Sequence, residues 1–459
     1  MRHIIEKILA TLWNRLASKR RRPITGRALD LGIRYAEGEG PKGRATIPQD
    51  RRAEHIAILG KTGSGKSSLL RYIAKQDIAD GRGFVYFDLH GDATPFLLAT
   101  ISTQERVVGR DLSEQLVIID PADPESSVGL NPLTQSDTER RFVQIAEFAH
   151  VLKQRWHLET FGARTDELLR NSLYALAENN LTLIELSPFL SHAAFRSSCL
   201  KQVKNAEIRQ YFESRYDQAS EPMRAVMREP ILNKTSAFTA DLHFRHIVGQ
   251  QTSTLSILDA MEQGRWVVLN LHKGRLGEQA VTLGSLFLTL VKNALFSRKS
   301  RELFTLYCDE IQNLVAYGTS LETILSESRK FAVSVVSANQ FLEQYPPDMR
   351  AAILAVGTHV FFQLSSPDAQ QIAAALDGGK PLAELLKNLP RRHMVVKSAH
   401  ERWQEAVVPT LLESKTDIAD LYSRCRARWA KRRGDIEATI AKRQTDIDRS
   451  HNEALNEWE

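Results

Sequence analysis

The 459-residue chain carries 61 Lys and Arg against 55 Asp and Glu, a formal charge of +6, with 42% apolar and 25% charged residues. These are the proportions of a globular protein, long enough for two or three domains or one large core with insertions, and the small basic excess is only a weak pointer to a polyanionic partner. Three well-separated cysteines, Cys199, Cys308 and Cys425, exclude a disulfide framework and argue against a zinc site, as suits a reducing cytoplasm.

At the N-terminus, Ile4, Ile5, Ile8, Leu9, Leu12 and Leu16 recur at helical spacing before the basic run Lys19 to Arg22. This amphipathic segment, 1–23, can lie on an anionic membrane surface, dock on a partner helix, or pack on its own core. Glu6, Lys7 and Arg15 interrupt it, unlike a signal peptide, and no apolar run reaches the roughly 18 residues of a membrane-spanning helix. A cytoplasmic protein with at most peripheral membrane contact is expected. Residues 27–54 are rich in Gly and Pro and read as short strands or loops leading into the core.

Residues 54–59 (EHIAIL) read as a buried strand running into Gly60-Lys61-Thr62-Gly63-Ser64-Gly65-Lys66-Ser67, which fits G-x-x-x-x-G-K-[ST]. Ser68 to Ala79 then has the pattern of an amphipathic helix. The chemistry needs these residue types. Glycines allow the tight turn that points successive N–H groups at an anion, and the helix start adds its positive dipole end. Lys66 reaches the outer phosphates of a nucleoside triphosphate, and the Ser67 hydroxyl takes one Mg²⁺ position.

Two further buried strands are expected, Gly83 to Asp88 and Leu116 to Asp120. Strands alternating with helices predict a mostly parallel sheet whose ligands bind beyond the strands' C-terminal ends, with Asp88 and Asp120 on that edge. From about residue 141 to 244 strand-like runs give way to helical periodicity, as in Thr165 to Ala177. An all-α insertion is expected there.

Sheet signals return at Arg265 to Leu271, followed by a loop carrying Lys273 and Arg275, then a helix from Val281 to Phe296. Leu303 to Glu310 is an apolar strand delivering two carboxylates, the arrangement an ATPase sets opposite its phosphate loop. Asp309 would hold Mg²⁺ through water, and Glu310 would polarise the attacking water as general base. The next strand, Ala332 to Ser337, runs into Gln340, placed either to sense the γ-phosphate or to cap the following helix. Arg329, just before it, reads either as a finger toward a neighbouring subunit's nucleotide or as a plain salt bridge. Strands at His359 to Leu364 and His393 to Lys397 follow, then a charged helical tail over 417–459.

Taken together, these stretches resemble the HerA/FtsK branch of P-loop ATPases, in particular HerA-like translocases and the TraD/TraG-like coupling ATPases of conjugative type IV secretion. The resemblance spans about 27–410. It rests on His55 to Leu70, Asp88 to Asp92, Asp120 to Asp123, Gly129 to Leu133, Leu306 to Asn313, Glu327 to Lys330 and the Gln340 strand. Leu89, Asn339 and Ala355 depart from the family pattern. The resemblance implies a RecA-like α/β core at 24–140 and 245–411, a helical insertion at 141–244, helical termini at 1–23 and 412–459, and a ring, usually of six subunits, that pumps DNA with ATP and Mg²⁺. It implies nucleotide contacts from Gly60 to Ser68, Mg²⁺ contacts at Ser67 and Asp309, and catalytic roles for Lys66, Glu310, Gln340 and a trans-acting Arg329. Lys273 and Arg275 are candidate DNA contacts. Two other functions remain open: an ATP-controlled ring scaffold that assembles a nuclease or secretion partner through 1–22 and 417–459, and an unanchored coupling ATPase delivering a protein–DNA (relaxase) substrate.

Overall fold

The computed structural model describes residues 27–36, 40–134, 138–155, 157–315, 321–398, 401–412 and 416–456. The amphipathic segment expected at 1–23 lies outside them.

Short apolar runs bounded by glycines and polar turns build an 11-stranded sheet. Its strands are β1 (Leu29–Ala36), β2 (Gly40–Ile47), β3 (Ile56–Leu59), β4 (Phe84–Asp88), β5 (Leu116–Ile119), β6 (Trp266–Asn270), β7 (Phe304–Asp309), β8 (Val333–Asn339), β9 (Thr358–Phe361), β10 (His393–Ser398) and β11 (Gln404–Val407). Their order across the sheet is β2-β1-β11-β10-β9-β3-β8-β7-β4-β6-β5. From β9 to β5 every pairing is parallel. From β9 outward through β10, β11, β1 and β2 every pairing is antiparallel. The α/β class with a mostly parallel sheet therefore holds. The antiparallel wing is more extensive than sequence periodicity indicates, because β11 (QEAV) is short and only half apolar.

Continuous apolar runs mark strands covered on both faces. Along β3, Ile56 and Ile58 point into one core and Ala57 and Leu59 into the other. The first core is closed by helix α1 (Lys66–Ala79) and helix α2 (Ala93–Val108), through Leu69, Leu70, Ile73, Phe96, Leu97 and Ile101. The second core continues into the helices between 138 and 248. Phe148 on α3 (Thr138–Arg155), Leu169 on α4 (Ala163–Glu178) and Ile231 on α5 (Glu221–Thr239) share one buried cluster with Leu59 and Phe87. The described residues of 141–244 are helical apart from short connections, in keeping with their 3.6-residue periodicity.

Helix α6 (Gln279–Ser297) has a mean hydropathy of 1.4 over an 18-residue window and is long and apolar enough to cross a membrane, which amends the expectation that no such run exists. Its Leu283, Leu286, Phe287, Leu288 and Val291 are buried in the second core, so the composition is that of a helix covered by protein.

The charged tail forms α7 (Ala419–Trp429) and α8 (Arg433–Asn456), and it packs on the body of the protein. Leu421 and Cys425 enter the first core. Arg424 pairs with Glu105 at 2.7 Å, and Arg443 pairs with the fully buried Glu185 at 2.9 Å. Much of the tail's charge is therefore spent on contacts within the chain, a result the sequence alone did not indicate.

Candidate functional site

Parallel strands β3, β7 and β8 are neighbours, so the segments that follow them converge on one sheet edge. The glycine-rich turn leaves β3 there. Gly63 and Gly65 adopt φ of 76° and 128°, a region closed to most side chains. A Cβ at Gly60 would come within 2.6 Å of Phe362 Cβ, so only glycine lets the turn lie against β9. Lys66 opens α1, and its ammonium folds back to donate to the Gly60 and Lys61 carbonyl oxygens at 2.6 and 3.1 Å. Burial depresses its pKa, against the opposing pull of Asp309 and Glu310.

Across from the turn, the Ser67 hydroxyl donates to Asp309 Oδ2 at 2.7 Å. Burial raises the Asp309 pKa, and the Ser67 hydrogen bond opposes the rise. Glu310 sits at φ 54°, a left-handed backbone that is rare for a side-chain-bearing residue and typical of functional sites. Both oxygens of its carboxylate have partners. Gln340 Nε2 donates to Oε1 at 2.8 Å, Asn313 Nδ2 donates to Oε2 at 3.0 Å, and His90 Nε2 stands 3.3 Å from Oε2. Thr62, in the glycine-rich turn, completes the chain by donating to Gln340 Oε1 at 3.0 Å. The His90 hydrogen bond holds the Glu310 carboxyl down at about 2, and the same bond raises the His90 pKa. A carboxylate held that low is a weak base while the contact lasts.

Of the residues singled out from sequence, Gly60 to Ser68, Asp309, Glu310 and Gln340 come together here. Gln340 faces Glu310 and Thr62, so its side chain does not cap the next helix. Arg329 lies at the other edge of the sheet, before β8, where it is 69% exposed and pairs with Glu54 at 3.0 Å. Lys273 and Arg275 lie on a short helical turn, Lys273–Leu276, where a loop was expected, and Arg275 donates to the Ala122 carbonyl at 3.2 Å. Asp88 and Asp120 reach the expected edge but turn into their own loops. Asp88 accepts from the Gly91 and Thr94 amides, and Asp120 accepts from Ala122 and Asn270. Two site residues that sequence reasoning left without a role are Asn313 and His90. For His90, the signal was its place between Asp88 and Gly91, directly after a buried strand neighbouring β7.

Beside the first turn of α1 opens a cavity of about 500 Å³, lined by Ser68, Arg71, Phe96, Arg391, Arg392 and Thr410. Arg392 joins it to the turn, since its amide donates to the Ser64 carbonyl at 2.7 Å.

A family description of the helicase HerA central domain matches residues 50–291, just over half of the sequence. The chain belongs to that HerA family. Its fold is shared by solved structures of low identity. The plasmid coupling protein TrwB bound to the GTP analogue GDPNP is 17% identical, with a TM-score of 0.62 over 87% of this chain and 94% of that one. TrwB with ADP and Mg²⁺ gives the same TM-score and identity. VirB4 of Thermoanaerobacter pseudethanolicus is 14% identical, with a TM-score of 0.57 over 85% and 99% of the two chains. No curated protein matches by sequence. HerA-family membership and this fold make the chain a P-loop ATPase of the HerA/FtsK type.

The donor set fits a nucleotide and Mg²⁺. The turn is a glycine-built loop with no room for a Cβ at Gly60, which would meet Phe362, and the Ser64 hydroxyl is buried with no hydrogen-bond partner among the described residues. Among the described residues no group of three or more His, Cys, Asp or Glu side chains could enclose a metal. Ser67 and Asp309 would be the residues to hold a hard cation such as Mg²⁺, which would supply positive charge beside the phosphates.

Proposed function

We propose that the chain is an ATP-driven DNA translocase that works as a homo-oligomeric ring, most simply a hexamer, with ATP hydrolysed at the boundaries between copies. The observation that carries the reading is the convergence of Lys66, Ser67–Asp309 and the clasped Glu310 at one sheet edge, while the exposed Arg329 stands at the opposite edge. One copy thus holds a nucleotide pocket and, on its other side, a cation suited to the pocket of a neighbour.

In this reading Lys66 and the amides of Gly60 to Ser68 hold the phosphates, Ser67 and Asp309 hold Mg²⁺, and the nucleoside occupies the cavity bounded by Arg71, Phe96 and Arg392. Mg²⁺ neutralises charge on the phosphate oxygens. Glu310 orients and deprotonates the attacking water, and Gln340, hydrogen-bonded to both Glu310 and Thr62, registers what fills the turn. Residues 24–140 and 245–411 form the motor core around the 141–244 insertion, with 412–459 as a tail. Lys273 and Arg275 contact the DNA backbone, which makes binding non-specific and steeply dependent on salt.

TrwB is a plasmid coupling protein, and the shared fold supports a conjugation or secretion setting, with a relaxase or channel as partner. The ring-scaffold reading, which docks a nuclease or secretion partner through 1–22 and 417–459, loses support from the tail because α7 and α8 are engaged with the chain's own body. Electron microscopy of the protein with a non-hydrolysable ATP analogue and duplex DNA tests the proposal. A ring enclosing DNA is expected, together with ATP turnover that rises when DNA is added at low salt. Monomeric particles, or turnover indifferent to DNA, would defeat it.

A further inference from the structure

His90 and the Lys273 turn are mechanically joined. Strands β4 and β6 pair through Asp88 and Asn270, and beyond them the two chains stay in contact. The Leu271 amide donates to the Asp88 carbonyl at 2.8 Å, and the Lys273 amide donates to the Leu89 carbonyl at 3.0 Å. The His272 ring is wedged between two glycines. A Cβ at Gly91 would fall 2.3 Å from its Cδ2, and one at Gly274 would fall 2.8 Å from its Cε1. The loop that presents His90 to Glu310 therefore rests on the loop that carries the half-buried Lys273 and the exposed Arg275. Asp88 stiffens the first of these loops by accepting from Gly91 and Thr94, so it moves as a unit.

The latch itself is local. A carboxylate offers two lone pairs on each oxygen. Both sites on Glu310 Oε2 are taken, by Asn313 and by His90, and Gln340 takes one on Oε1. Glu310, Asp309 and Lys273 are the charged groups that act on His90, and the ring is half exposed; its ion-pair partner among the described residues is Glu310.

We propose that His90 is a positioning residue that restrains the Glu310 carboxylate, and that nucleic acid drawn to Lys273 and Arg275 shifts the 271–277 turn and lifts His90 away. Hydrolysis is then slow until a polyanion lies on that turn. The inference rests on the reading of Glu310 as general base and adds the means by which DNA occupancy reaches it.

The test is steady-state ATP turnover by the full chain, with and without a duplex oligonucleotide, for wild type and for His90→Ala, His90→Asn, His272→Ala and Glu310→Gln. His90→Ala should raise the DNA-free kcat about tenfold, the size of one charge-assisted hydrogen bond, with KM unchanged and stimulation by the duplex largely lost. His90→Asn, which keeps a donor, should lie nearer wild type. His272→Ala should bind the duplex as wild type does in fluorescence anisotropy, yet respond to it weakly. A DNA-free rate that falls in His90→Ala, or stimulation that survives in both His90→Ala and His272→Ala, overturns the latch while a dead Glu310→Gln leaves the general-base reading intact. A Glu310→Gln variant as fast as wild type sinks the reading and the latch together. Normal binding of a fluorescent ADP analogue by each variant shows that the pocket is folded.

Discussion

Ser67 and Asp309 are 242 positions apart in the chain, and their side-chain oxygens are 2.7 Å apart in the fold. The contact joins the first turn of α1 to the end of β7, and in the proposed function these two oxygens would hold the divalent cation beside the triphosphate. Exchanging either oxygen should act on metal-dependent chemistry more than on folding. Ser67→Ala and Asp309→Asn should each lower ATP turnover by about 10²-fold or more, with thermal unfolding close to wild type. Turnover measured across a Mg²⁺ titration checks this, and near-normal rates at ordinary Mg²⁺ would refute the assignment.

Arg329 makes one exposed ion pair, with Glu54, and such pairs contribute about 0–1 kcal/mol. Arg329→Ala should therefore leave unfolding nearly unchanged but lower turnover by about 10³-fold if the side chain acts on a neighbour's nucleotide. Mixing Arg329→Ala with Glu310→Gln subunits should recover part of the activity, because each lacks what the other supplies. No recovery on mixing, with both variants assembled, would argue against action between copies.

Beneath the phosphate helix, Arg52 is wholly buried and makes a double hydrogen bond with Asp77 at 2.6 and 2.7 Å. Thr305 and Tyr307, on the strand that carries Asp309, also donate to the Asp77 carboxylate. Removing one partner strands a charge in the core, so Arg52→Met or Asp77→Leu should each cost about 3–5 kcal/mol in chemical denaturation. The double variant should lose clearly less than the sum, since neither charge is then left alone.

His55 reports on the same packing through pH. Burial lowers its pKa from 6.5 to about 4. Val335 donates its amide to Nδ1, so the proton sits on Nε2 and is given to the Leu325 carbonyl at 2.9 Å. The folded ring resists protonation while the unfolded ring accepts it. Stability is then complete above about pH 6.5 and declines as pH falls toward 4, by about 3 kcal/mol from this group. Subtracting the pH dependence of unfolding in His55→Gln from that of wild type isolates the effect. A difference that is flat between pH 4 and 6.5 would contradict it.

Much of this was legible before any coordinates. The glycine-rich turn, the strand before it and the helix after it lie where their local pattern puts them, because φ freedom, hydrogen-bond geometry and apolar spacing act over a few residues. The Asp309–Glu310 strand was equally plain as a buried run ending in two acids. The wing of β1, β2, β10 and β11 was not, since pairing between distant strands leaves little trace in a half-polar segment such as Gln404–Val407. Periodicity also left α6 short of its true apolar length, and the run only became intelligible as a helix buried by both the sheet and the insertion.

The sequence by itself determined the glycine-rich turn and its flanking strand and helix, because such a turn is built from consecutive residues whose conformational needs are written in their side chains. Tertiary structure decided what surrounds it. That His90 touches Glu310, that the Lys273 turn leans on the His90 loop, and that Arg329 faces away from its own pocket all depend on which strands lie side by side. Those neighbours are chosen by the packing of the whole sheet, and no local window of the chain contains that information.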